Sequence, residues 1–145
     1  MTDFPVDPFK IAQRMNVAVR VQLMDMGISG FIIREEGSSA EIYLNESDIR
    51  TRQRFTLAHE IGHHIQFERE PSMGVVDARR TISFDETSSP AEVWANKFAL
   101  ELLMPSAIVK KWWADGKEPE EMRRQFDVSS LTFRHRISKL GLLSA

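Results

Sequence analysis

The chain contains no cysteine. That excludes thiol nucleophiles, disulfide staples and thiolate metal sites, and leaves imidazoles and carboxylates as the ligands for any hard or borderline metal ion. No uncharged apolar stretch approaches the roughly 20 residues of a membrane-spanning helix. The opening Met1-Thr2-Asp3-Phe4-Pro5 also lacks the basic start and apolar run of a secretion signal. A cytoplasmic protein with no membrane partner is therefore expected. Positive charge is not in surplus either: 19 Lys and Arg against 21 Asp and Glu leave a net charge of −2, whereas a dedicated nucleic-acid binder usually carries a basic excess.

What is present suffices for one domain with a small appendage. The 145 residues are 42% hydrophobic and 28% charged, a composition that supports a packed core and argues against wholesale disorder. Asp7 and Pro8 open a short helix over residues 7–16, with Phe9, Ile11, Ala12 and Met15 on its apolar face. Residues 17–23, 30–34 and 40–44 alternate as strands, with a turn at 35–39. They predict a small, mostly antiparallel sheet. Ser47 or Asp48 is placed to cap a long helix reaching about Glu68, whose Phe55, Ala58, Ile61 and Ile65 form a buried stripe. Residues 70–89 lack a period and read as a long functional loop. Helices then follow over 90–104, 106–115, 119–126 and 129–140, the last stopped by Gly141.

The most informative segment is His59-Glu60-Ile61-Gly62-His63. Positions i and i+4 of a helix stand on one face, so two imidazoles can reach one zinc ion with Glu60 beside them to hold a water. The bland reading of the same residues is a polar surface stripe, which the apolar flanks Phe55, Leu57, Ala58 and Ile61 disfavour. Gly62 costs up to about 1 kcal/mol in a helix interior and asks for a close approach there. His64 lies about 100° around the helix from His63 and cannot share the ion in the same way. A catalytic zinc takes a third protein ligand. The next histidine is His135, so a carboxylate is expected. Glu92 is the first candidate, with Asn96 one turn later on its face. The stretch Ser89-Pro90-Ala91-Glu92 is equally a capping box, and spacing alone leaves both readings open. Glu101, Asp85 and Glu86 are the substitutes.

With those residues identified, the chain resembles the ImmA/IrrE family of zinc metallopeptidases. The segment Arg52-Gln53-Arg54-Phe55-Thr56-Leu57-Ala58-His59-Glu60-Ile61-Gly62-His63 is similar to the family's active helix almost throughout. Glu92, Ala95, Asn96, Phe98, Ala99 and Glu101 through Pro105 match its second motif. The resemblance implies that Glu92 is the third metal ligand beside His59 and His63, that Glu60 is the catalytic base, and that Zn2+ is the cofactor. It also implies a protein substrate, a helix-turn-helix repressor whose cleavage derepresses genes of mobile elements or stress responses, sometimes in toxin–antitoxin style.

The fold expected is α+β: a small sheet packed on zincin-like helices over residues 1–104, with a helical, helix-turn-helix-like C-terminal subdomain over 105–145. Mechanistically, a bound zinc would acidify a water and Glu60 would move its proton. The oxyanion donor is not identified, and Tyr43, the chain's single tyrosine, is a candidate. Trp94, Trp112 and Trp113 read as packing residues. Residues 110–145 hold eight basic and five acidic side chains, and Arg134, His135, Arg136 and Lys139 fall on the last helix. That raises a rival function, a DNA- or repressor-binding module whose metal site is not catalytic. Surplus charge of this size is more often a solvated face, so DNA is not the expected partner.

Overall fold

The computed structural model describes residues 4–34, 39–69 and 89–143. The loop expected over 70–89 and the turn over 35–39 lie almost wholly outside them. Helix α1 spans Pro8–Arg14, and the Asp7 carboxylate accepts the amides of Phe9 and Lys10 as its N-cap. Strands β1 (Ala18–Gln22), β2 (Gly30–Ile33) and β3 (Glu41–Asn45) follow, then α2 (Arg50–Arg69), α3 (Pro90–Leu103), α4 (Ser106–Ala114), α5 (Pro119–Phe126) and α6 (Ser130–Lys139). This is the α+β arrangement the sequence predicts.

The sheet differs from expectation in its pairing. Its order is β1-β3-β2, with β1 parallel to β3 and β2 antiparallel to it. It is a mixed sheet rather than a meander. Alternation reveals which face of a strand is buried, not which strand lies beside it. β3 carries the fully buried Ile42 and Leu44 and takes the centre. The buried Asn45 side chain organises the crossover beside it, donating to Ile28 O at 2.7 Å and accepting the Ser47 amide at 2.9 Å. The second of these bonds also moves the start of α2. Residues 45–48 close as a turn, with the Asp48 amide on Asn45 O, so Ser47 and Asp48 lie ahead of a helix that begins at Arg50.

α2 is the wall between two cores. Leu57 and Ile61 meet Ile32, Ile42 and Leu44 of the sheet, while Phe55 and Ala58 join Ala99 and Leu103 of α3 and Val109, Met122, Phe126 and Phe133 of the tail. Gly62 faces α3. A Cβ there would stand 3.3 Å from Ala95 Cα and 3.1 Å from Phe98 Cδ2, the close approach that a mid-helix glycine announces. Trp112 packs on Phe4 and Phe126, and the half-exposed Trp94 stacks on Phe98.

Candidate metal centre

One helix repeat brings His59 and His63 together, and the α2–α3 contact at Gly62 brings Glu92 to them. His59 Nε2 lies 3.1 Å from His63 Nε2. The Glu92 carboxylate spans both rings, with Oε2 at 3.0 Å from His59 Nε2 and Oε1 at 2.9 Å from His63 Nε2. All three residues are buried. Only the serine half of the capping box forms, and the Glu92 carboxylate does not turn back to the Ser89 amide. Ser89 Oγ accepts the Glu92 amide and caps α3, while the Glu92 carboxylate faces the imidazoles. Glu101 is elsewhere, accepting the Ser106 amide and Arg136. Asp85 and Glu86 lie outside the described residues.

The geometry fits a metal ion. Donor atoms around a tetrahedral ion with bonds of about 2.0 Å stand about 3.3 Å apart. The three separations here are a few tenths shorter. Charge agrees too. Burial lowers the His59 pKa, outweighing the Glu92 carboxylate that raises it. Burial would raise Glu92, but hydrogen bonds from both histidines win and hold it below the usual carboxylate range. A neutral imidazole and an anionic carboxylate are the forms that bind metal.

Asn96 Oδ1 sits 2.8 Å from His59 Nδ1, the contact that orients an imidazole ligand through its other nitrogen. Gln66 stands 3.4 Å from His63 Nδ1 while donating to Ala91 O. The sequence pattern did not single out Gln66, although it sits three residues past His63 on the same helix face.

Glu60 is fully buried, and among the described residues neither carboxylate oxygen finds a hydrogen-bond donor. Burial first, then repulsion by Glu92, pushes its pKa up to about 8, with Arg34 opposing. An unbonded buried carboxylate is costly, and a group poised near neutrality suits proton transfer. Arg34, also unforeseen, lies half-buried over the Phe67 ring, 4.4 Å from its centroid. A lone arginine at a strand end gives no sequence signal. His64 stands outside the cluster, 3.4 Å from Glu68. Tyr43 donates to Glu41 and stacks on Phe31. Its neighbours Ile42 and Leu44 face α2, so strand alternation turns Tyr43 away from the centre. It is not the oxyanion donor.

A family model described as the IrrE N-terminal-like domain, a peptidase family, matches residues 12–138. The chain belongs to that family. Metallopeptidase ImmA of Bacillus subtilis (strain 168) is 21% identical over 122 residues, covering 83% of this chain and 69% of ImmA. The IrrE-like match contains every residue of the centre and runs through the tail into α6. Membership supports a metallopeptidase of the ImmA/IrrE type, and the His59–His63–Glu92 cluster could bind its metal ion. Among the described residues, no helix is long and apolar enough to cross a membrane.

Proposed function

We infer that the chain is a zinc-dependent endopeptidase, with His59, His63 and Glu92 as metal ligands and Glu60 as general base and acid. The observation that carries this reading is the pairing of a three-donor cluster with an adjacent buried carboxylate that has no hydrogen-bond partner among the described residues. A zinc bound there would supply Lewis acidity to the scissile carbonyl and bring a water's pKa down to about 7. Glu60 takes the proton of the attacking water and delivers it to the leaving amine. Asn96 fixes the His59 ring.

The substrate proposed is a specific regulatory protein in the cytoplasm, a helix-turn-helix repressor by resemblance to the family. The rival DNA-binding reading loses one of its cations. Arg136 is buried and donates to Met104 O and Glu101, so it is spent inside the protein rather than offered to phosphates. The test is metal analysis combined with substitution. The purified chain should hold about one zinc. His63→Ala should lose it, and Glu60→Gln should keep it while ending cleavage. A folded Glu60→Gln variant that still cuts would refute the assignment.

A further inference from the structure

A cavity of about 190 Å3 lies between the start of β2, the first turns of α2 and the start of α6. It is smaller than the roughly 300–1,000 Å3 of small-molecule sites, and so is the size of one side chain rather than of a cofactor. Its rim holds Ile49 and Leu131, each 69% exposed, and its lining includes Arg52, Phe55, Thr56 and Ser29. Ile49 precedes α2 and Leu131 opens α6, so two distant segments place large apolar groups in solvent at one opening. Arg52 is exposed and has no ion pair among the described residues.

The cavity is aligned with the metal centre. At 100° per residue, Arg52, Thr56, His59 and His63 fall within an arc of about 60° on α2. They form one continuous stripe, bounded at Thr56 by the start of β2, where a Cβ on Gly30 would come within 2.8 Å of Thr56 Cγ2. Along the axis, the cavity is about 10 Å from the midpoint of the two histidines. An extended peptide covers that in about three residues.

We propose that this cavity is a specificity subsite taking one large apolar side chain of the substrate about three residues from the cut bond, with an acidic residue beside it facing Arg52. The assignment rests on the peptidase reading above. It also gives the tail a part in recognition, because α6 supplies Leu131 to the subsite wall.

The experiment uses the full-length zinc-loaded chain, a randomised dodecapeptide library and mass-spectrometric mapping of cut sites. Enrichment of Leu, Ile, Met or Phe at one position two to four residues from the cut, flanked by Asp or Glu, is expected. Arg52→Glu should reverse the flanking preference from acidic to basic. Leu131→Trp, which fills the opening, should lower kcat/KM about tenfold for a Leu-bearing peptide, mainly through KM. The loss should be several-fold smaller for a peptide with Ala at that position. The same labelled Leu peptide should bind Glu60→Gln/Leu131→Trp about tenfold more weakly than Glu60→Gln alone. Both substitutions are at exposed side chains, so melting temperatures should match the parent. Cleavage with no enriched position, or enrichment unmoved by both variants, overturns the subsite while sparing the peptidase reading. Absence of any zinc-dependent cleavage by the parent chain overturns both.

Discussion

Arg54 and Glu60 are both buried ionisable side chains on α2, and the protein treats them in opposite ways. The Arg54 guanidinium donates to the carbonyls of Phe126 and Asp127 at 3.2 and 3.0 Å and pairs with the Asp127 carboxylate at 3.3 Å. Arg50 closes the same carboxylate from outside with two further bonds. Arg136 repeats the pattern, capping Met104 O. Glu60, equally buried, has no hydrogen-bond partner among the described residues. Satisfied burial fixes structure: it pins the α5–α6 turn to α2 and holds the tail in place. Unsatisfied burial is expensive and marks where reactants are to be met.

The contrast is broken most severely at Glu60. Glu60→Gln removes the proposed proton carrier but keeps the shape, so the cleavage rate should fall at least about 100-fold. Metal content by atomic absorption and the melting temperature should hold, because glutamine keeps the shape of a side chain that has no hydrogen-bond partner among the described residues. Arg54→Met is the mirror experiment. It strips two carbonyls and Asp127 of a buried partner, and should cost about 2–4 kcal/mol of stability in urea unfolding. Zinc affinity of the fraction still folded should be unchanged. A Glu60→Gln variant that unfolds, or an Arg54→Met variant as stable as its parent, would collapse the distinction.

Asp127 tests the satisfied side through pH. Its backbone is left-handed, φ 55°, which asparagine also tolerates, so Asp127→Asn isolates the charge. The hydrogen bond from Arg50, ahead of the pull of Arg54, lowers the Asp127 pKa in the fold. A lowered carboxyl pKa contributes stability that is present above the unfolded value near 3.9 and is lost as pH falls through the folded one. Urea titrations should therefore show the variant about 1 kcal/mol weaker at pH 7, kept small by the solvent around Arg50. The two chains should converge as the pH falls below the lowered folded value. A constant gap across that window would mean that packing, not charge, holds the turn.

How far these features were legible in the sequence follows the same division. His59, Glu60 and His63 are readable because one helix repeat is enough to specify their relation. Glu92 is readable only as two alternatives, since spacing describes its backbone and its approach to both histidines is a tertiary fact. The helices other than α2 are announced at their starts by caps or prolines, whereas the parallel β1–β3 pairing is not announced, because alternation carries no information about neighbours. Arg136 looks like part of a basic surface until the fold shows Met104 O beneath it. Gln66 and Arg34 have no local pattern at all. They matter because of what α3 and β2 bring near them.

Gly62 offers the smallest and sharpest test, because two known effects oppose there. Alanine gains about 1 kcal/mol of helix propensity over glycine. Its Cβ would meet Phe98 Cδ2 at 3.1 Å, which can rotate, and Ala95 Cα at 3.3 Å, which moves only with α3. The net stability change of Gly62→Ala should therefore stay within about 1 kcal/mol of zero. The displacement is less forgiving for the centre, because α3 also carries Glu92 and Asn96, and donor positions tolerate errors of only about 0.5 Å. Zinc affinity, measured by competition with a chelator, should fall about tenfold while the melting temperature barely moves. Equal losses of both would mean that the glycine serves general packing, and that the α2–α3 spacing is not tuned to the metal donors.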